Sequence, residues 1–429
     1  MAVRKSGTSA EVRAAATNVK KLSSLVEASK VLNSTLDLNE LLTIILDLAV
    51  KNLHAERGTI YLIDRNTNEL TAKVRKGKEP VEIRLPMGKG IAGHVAKTGK
   101  TVIIKDAHRD SRFFKGFDQK TGFITKTMLC MPLRNRNNKT IGVFQILNKR
   151  RGLFTLSDRQ FLNAFSIHAA LAIENAQMHR LMLEKKSMEK EMEIAGAIQQ
   201  QLFPRELPSI PSYAFHAKVD PCKSIGGDYY CITPIGKERV LMAIADVSGK
   251  GVPASLLVSS LHAFLQSYLS QEIALDILMS KLNTMIHKNS PSDSFITCFI
   301  GVINTTDHRL SYVNAGHPLP YIVDMSNGAV TTLKEGGIPL GMLPEWEYRA
   351  ETLEIRPNHS LVCFTDGLSE AVNSGGDMFG EERIKSTLES IQNTSKPTIL
   401  DVLSREVRNF IGKEPMADDL TVLSMTRLS

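Results

Sequence analysis

Four short motifs place carboxylates in turns directly beside apolar runs. In IGGDYYCI (225–232), Asp228 follows two glycines. In VLMAIADVSGKGVPASLL (240–257), an apolar run ends at Asp246, and a Gly249-Lys250-Gly251 turn leads to a helix from Pro253. SLVCFTDGLSEAVN (360–373) repeats the arrangement with Asp366-Gly367, and MADDLTVLSM (416–425) puts Asp418 and Asp419 at the start of a strand. Singly, each is ordinary turn chemistry. Jointly, four carboxylates at strand ends, with glycines permitting close backbone approach, form the oxygen-donor set that hard divalent cations such as Mg²⁺ and Mn²⁺ prefer.

Other chemistries fit less well. HExxH and paired CxxC patterns are absent, which disfavours the common zinc centres. A GxxxxGK[ST] loop is missing, which disfavours a P-loop NTPase. The Gly-Gly-Asp of diguanylate cyclases continues Glu-Phe, and Tyr229-Tyr230 does not match. Ser248, Ser369 and Cys363 lie near the motifs and are read as structural. His317, in a turn with Asn314, Ala315, Gly316 and Pro318, is either a general acid or a histidine that shapes its loop; the second is preferred.

These strand ends need a scaffold, and the chain supplies more than one. At 429 residues it is too long for one ordinary domain. The hydrophobic share of 42% and charged share of 23% are those of a folded globular chain. No apolar run approaches the ~20 residues of a membrane span, and no apolar stretch follows the basic N-terminus, so a signal peptide is not expected. Five scattered cysteines suit free thiols in a reducing cytoplasm. The net charge of +8 is dispersed, which favours a solvated basic surface over nucleic-acid binding.

Helical periodicity runs from Leu22 to Leu53, with Asp37 expected to cap a second helix and Glu40 to complete a capping box. Strand-like runs follow at 59–64, 70–75, 101–106, 128–133 and 140–148, then a helix from Leu156 to about Leu202. Met178, Lys185, Met192 and Gln199, with Leu181, Met188, Ala195 and Leu202 three residues on, form a weak coiled-coil seam. Pro204 and Pro208 end it. Helical runs at 256–269, 273–286 and 399–411 alternate with the apolar strands of the last region.

Two family resemblances follow from these motifs. MGKGIAGHVAKTGKTVIIKDAHRDSRF (87–113), MPLRNRNNKTIGVFQILNK (131–149) and the element order of 38–178 resemble a GAF sensor domain. Asn148, Lys149, Phe154 and Asp158 match the signature of cyclic-nucleotide-binding members, although Arg159 stands where Glu would be. The resemblance implies a small-molecule ligand, a cyclic nucleotide or another, or a ligand-free dimerisation module. Residues 195–429 resemble the SpoIIE-like branch of the metal-dependent protein phosphatases (PPM). That match includes AIQQQLFPRELP (197–208), YVNAGHPLPYIV (312–323) and EGGIPLGML (335–343).

The combined expectation is an α+β chain in four parts. A helical segment (1–37) precedes the GAF domain (38–178), an antiparallel sheet with flanking helices. A connector helix (179–203) leads to an α-β-β-α phosphatase sandwich (204–429). By the resemblance, Asp246 bridges two Mn²⁺ or Mg²⁺ ions with the Val247 carbonyl as a further ligand. Asp228 holds one ion, and Asp366 and Asp418 the other. Many relatives carry a second Asp after GGDYY, where Cys231 stands, so one auxiliary ligand is missing. Paired cations suit hydrolysis of a phosphate monoester, a reaction that demands accelerations up to ~10²¹-fold. They activate a water and neutralise the phosphoryl oxygens, so no nucleophilic side chain is needed.

The implied protein is a cytoplasmic homodimer that dephosphorylates phosphoserine or phosphothreonine on a regulatory protein, within the family often an anti-sigma-factor antagonist, under GAF control. Two alternatives are a scaffold whose phosphatase domain is inert and a receptor whose main function is ligand binding. The intact four-Asp set disfavours the first.

Overall fold

A computed structural model describes residues 35–429 except 77, 78, 115, 117, 119–121, 270, 272, 292 and 392–397. The helix expected before Asn33 lies outside the described residues. The chain divides into two compact units, 1–186 and 187–429.

In the first unit, α1 (Leu38–Asn52) precedes β1 (Ala55–Asp64), β2 (Glu69–Lys76), β3 (Glu79–Pro86), α2 (Gly90–Thr98), β4 (Val102–Ile104), β5 (Met128–Arg134) and β6 (Thr140–Lys149). The strands form one antiparallel sheet ordered β3-β2-β1-β6-β5-β4. Alternation along β6 divides its side chains between two cores: Phe144 and Ile146 pack with α1 and the following helix α3, while Val143 and Leu147 pack with α2. Asp37 caps α1 as expected, accepting from Glu40 N at 2.8 Å. The reciprocal half of the box is replaced: the Glu40 carboxylate accepts from Thr35 Oγ1 at 2.7 Å, not from the Asp37 backbone. Strand β3, in which Val81, Ile83 and Leu85 alternate with Glu82 and Arg84, is a further strand beyond those expected.

Helix α3 (Leu156–Gln199) runs 44 residues and ends in a 3₁₀ turn at 200–202. Among the described residues no helix is long and apolar enough to cross a membrane.

The second unit holds β7 (Tyr213–Asp220), β8 (Asp228–Ile235), β9 (Arg239–Val247), α4 (Val252–Tyr268), α5 (Leu275–Asn289), β10 (Ile296–Asn304), β11 (Arg309–Ala315), β12 (Tyr321–Asp324), β13 (Val330–Thr332), β14 (Glu351–Glu354), β15 (His359–Phe364), the single turn α6 (Asp366–Ser369), α7 (Gly380–Glu389), α8 (Ile399–Ile411) and β16 (Leu420–Arg427). Two five-stranded antiparallel sheets result, β14-β11-β10-β9-β8 and β13-β12-β15-β16-β7.

Period-two patterning builds four layers from these sheets. On β9, Val240, Met242 and Ile244 enter the core between the sheets, while Leu241, Ala243 and Ala245 face α4 and α5. On β15, Leu361 and Cys363 point inward, and Val362 and Phe364 face α7 and α8. Helix α8 occupies the expected 399–411, fixed by a Thr398–Asp401 capping box. The result is the α-β-β-α sandwich the motifs implied.

Candidate metal centre

Asp228 opens β8 and stands opposite Asp246, next to last on β9. Asp366 begins α6 directly after β15, and Asp418 lies two residues before β16. Both sheets therefore deliver carboxylates to one end of the sandwich. The Asp246 carboxyl is pushed up to about 7, first by burial and then by the Asp366 and Asp418 charges; Asp228 lends it a hydrogen bond. Burial and Asp246 likewise hold Asp228 well above the ordinary carboxylate range. Asp366 is raised by burial, then by Glu370 and Asp418. A cluster this unfavourable to ionise on its own is one that cations would relieve.

The donor set fits divalent cations. A Cβ placed on Gly227 would lie 3.2 Å from the Val247 carbonyl oxygen, 3.5 Å from Asp246 Oδ1 and 3.5 Å from the Gly249 carbonyl. Three oxygens converge on a hollow that any larger residue would fill. Asp228, Asp246, Val247, Asp366 and Asp418, the five expected ligands, thus come to one end of the fold. A different trio, Cys222, Asp418 and Asp419, brings its donor atoms within 4.8 Å of one another. Burial and Asp419 push the Cys222 thiol up to about 11, and sulfur is a soft donor, less suited to Mg²⁺ or Mn²⁺ than the carboxylate set.

Asp419 has other work. Its Oδ1 accepts from Cys222 N and its Oδ2 from Gly227 N, both at 2.7 Å. It clamps the glycine loop, and a Cβ on Gly226 would meet Oδ2 at 2.6 Å. Asp228 is held across the sheets: Oδ2 accepts from Thr365 Oγ1 at 2.8 Å and from Thr421 Oγ1 at 2.6 Å. Both threonines are fully buried. Both lie inside the quoted motifs, near Asp366 and Asp419, but their role is not legible there because each acts over more than a hundred residues of separation. Lys250 Nζ reaches from the Gly249–Gly251 turn to Asp418 Oδ2 at 2.8 Å and to the Ala417 carbonyl at 2.7 Å.

His317 is 3% exposed, and burial lowers its imidazole to about 3, so it is neutral. Its Nδ1 pairs with Thr297 Oγ1 at 2.9 Å, and Asn314 grips its backbone N–H and carbonyl. These bonds fix the loop, and the other ring nitrogen, Nε2, is buried without a hydrogen-bond partner among the described residues. Ser248 Oγ accepts from Phe295 N, Ser369 Oγ donates to the Asp366 carbonyl, and Cys363 sits in the core between the sheets.

In the first unit, the four residues matching the cyclic-nucleotide signature form one brace. Lys149 pairs with Asp158, which also accepts from Thr155 N and Oγ1 at the start of α3. Phe154 lies beneath the Lys149 ammonium. Asn148, at φ +53°, accepts from Lys126 N and Thr127 N and donates to the Ile124 carbonyl. A cavity elsewhere in this unit is lined by Arg57, Thr59, Tyr61, Phe123, Thr125 and Gln145 among others, and by none of the four.

A sandwich of this topology with acidic strand ends is the arrangement that the resemblance to the metal-dependent protein phosphatases implied. Residues 236–428 match the model of the stage II sporulation protein E (SpoIIE) family, and 37–173 match the GAF domain. The chain thus joins a GAF domain to a phosphatase domain of the SpoIIE type. Protein IcfG of Synechocystis sp. is 27% identical over 264 residues, covering 55% of this chain and 41% of that protein. The phosphoserine phosphatase RsbU of Bacillus subtilis is 25% identical over 243 residues, covering 57% and 72%. The SiaA-PP2C domain of Pseudomonas aeruginosa superposes with a TM-score of 0.51 at 20% identity, over 57% of this chain and 99% of that one, a likeness of fold. The chain spans about two fifths of the length of IcfG.

Proposed function

We propose that the chain is a Mn²⁺- or Mg²⁺-dependent serine/threonine protein phosphatase acting on a regulatory phosphoprotein, an anti-sigma-factor antagonist or a protein of that kind. The supporting observation is the meeting of Asp228, Asp246 and Asp366 in one buried, mutually repelling cluster with Asp418 at its edge. The likeness to the phosphoserine phosphatase RsbU supports the same substrate class.

In this reading Asp246 would be shared by the two cations with the Val247 carbonyl as a further ligand, Asp228 would hold one, and Asp366 and Asp418 would hold the other. When bound, the cations supply an activated water and charge neutralisation at phosphorus. The chain's own groups set the geometry. Thr365 and Thr421 occupy one oxygen of Asp228 and turn the other towards Asp246. Asp419 fixes the loop bearing Gly227. His317 keeps the β10 and β11 ends in place through Thr297, opposite Asp246 in register.

The GAF domain is read as the control element, with a small molecule in the cavity beside Arg57 and Gln145. The exposed Met178, Leu181 and Met188 of α3 support a homodimer through the connector.

Calorimetric titration with MnCl₂ and turnover of a phosphoserine peptide test the central claim. Asp246→Asn should abolish turnover and weaken Mn²⁺ binding while the thermal transition persists. Undiminished activity in that variant would refute the assignment of Asp246.

A further inference from the structure

Gln199 is the last residue of α3, and its side chain is turned inward, 8% exposed. Its Nε2 donates to the Gly226 carbonyl at 2.7 Å, and its Oε1 accepts from the Gly226 N–H at 3.0 Å. The carboxamide thus engages both backbone groups of one residue, as a neighbouring strand would. One hydrogen bond would let that residue pivot; two fix its position and its orientation.

Helix and loop also touch through their backbones. Gly196, one turn earlier, lies so close that a Cβ there would stand 2.0 Å from the Ser224 carbonyl oxygen. The peptide joining Gly226 to Gly227, whose carbonyl Gln199 holds, is gripped at its other edge by Asp419, which accepts from Gly227 N. Asp228 follows immediately. The segment 224–228 is therefore held between the end of α3 and the Asp418–Asp419 segment, with no slack before the carboxylate. Nothing in a coiled-coil seam would call for such an arrangement of Gln199, and a buried amide deprived of both partners is costly.

We propose that Gln199 is a positioning residue for the metal centre: its clamp on Gly226 makes the last turn of α3 and the Asp228 loop one mechanical piece, so that the placement of that turn sets cation affinity at Asp228. The proposal rests on reading the carboxylate cluster as a divalent-cation site.

The test uses the full chain as wild type, Gln199→Leu and Gln199→Glu. Three measurements are made: hydrogen exchange of the 224–228 amides, calorimetric titration with MnCl₂, and turnover of p-nitrophenyl phosphate against Mn²⁺ concentration. Gln199→Leu should lose protection at Gly226 and bind Mn²⁺ about tenfold more weakly, the scale of effect typical for residues that orient ligands. Gln199→Glu keeps an acceptor for the Gly226 N–H but loses the donor, and should fall between. Saturating Mn²⁺ should return most of the turnover with KM unchanged.

Unchanged protection at Gly226, or wild-type Mn²⁺ affinity in both variants, would overturn the proposal. If Gln199→Leu fails to fold, the glutamate variant decides by the same two readouts. Wild-type protein that binds no Mn²⁺ would instead overturn the cation-site reading, and the exchange data would then judge the clamp alone.

Discussion

At the scale of single residues, the centre depends on groups that never face a cation. Thr421 donates to Asp228 from a fully buried position. Thr421→Val keeps shape and volume but leaves that carboxylate oxygen short of a donor, at a cost of ~1–3 kcal/mol. It should also raise the Asp228 carboxyl further, so that Mn²⁺ affinity at neutral pH falls. Denaturant unfolding and calorimetry on the same samples check the two effects. Lys250 points the other way. Its ammonium already neutralises Asp418 from a half-exposed position, so it competes with any cation there. Lys250→Gln should tighten Mn²⁺ binding, by up to about fivefold given that such ion pairs are worth ~0–1 kcal/mol. Weaker binding in that variant would show that Lys250 supports the site.

At the scale of elements, strand ends explain both what the sequence disclosed and what it concealed. Apolar runs terminating in Asp246 and Asp366 are visible because a buried strand must be apolar and its exit turn must not be. Helix α8 was legible residue for residue, since an amphipathic face and a cap coincide. The Thr365–Asp228–Thr421 link was not, because it joins β8 of one sheet to the ends of β15 and β16 in the other, and packing between sheets leaves no local pattern. Gln199 was misassigned for a related reason. Its spacing fits a heptad, and only its packing against Gly226 withdraws it from the seam. Replacing Lys185 and Gln199 together would therefore mix two effects.

The convergence of strand ends also dictates a pH dependence in the absence of cations. Asp246 rises from 3.8 to about 7, so the folded chain holds a proton that the unfolded chain releases. Stability contributed by that protonated form is complete below the unfolded pKa and is lost as pH rises through about 7. Metal-free protein should thus melt at progressively lower temperature between about pH 4 and pH 8 on account of this cluster. Added Mn²⁺ should raise the melting temperature most at the alkaline end. A flat metal-free profile with no pH-dependent Mn²⁺ effect would contradict the buried-cluster geometry.

At the scale of the whole molecule, the question is whether α3 carries information or only joins two units. Its residues up to Ala176 belong to the GAF core, and its last turn grips the Asp228 loop. Between them lie Met178, Leu181 and Met188, on one face of the helix and all more than half exposed in a single chain. Burying such a stripe against a second copy recovers roughly 25 cal/mol per Å² of apolar area. The full chain should therefore run as a dimer in light scattering at micromolar concentration, and Leu181→Glu with Met188→Glu should shift it to monomer. An insertion of twelve Gly/Ser residues between Lys186 and Ser187 spares both the GAF core and the Gln199 clamp, but removes the stiff path between them. If the helix transmits a signal, the inserted protein should keep the Mn²⁺ affinity of the isolated catalytic unit while its turnover stops responding to deletion of residues 1–178. Turnover that responds to the deletion equally with and without the insertion would mean that α3 is a tether, and that control of the metal centre comes through another surface.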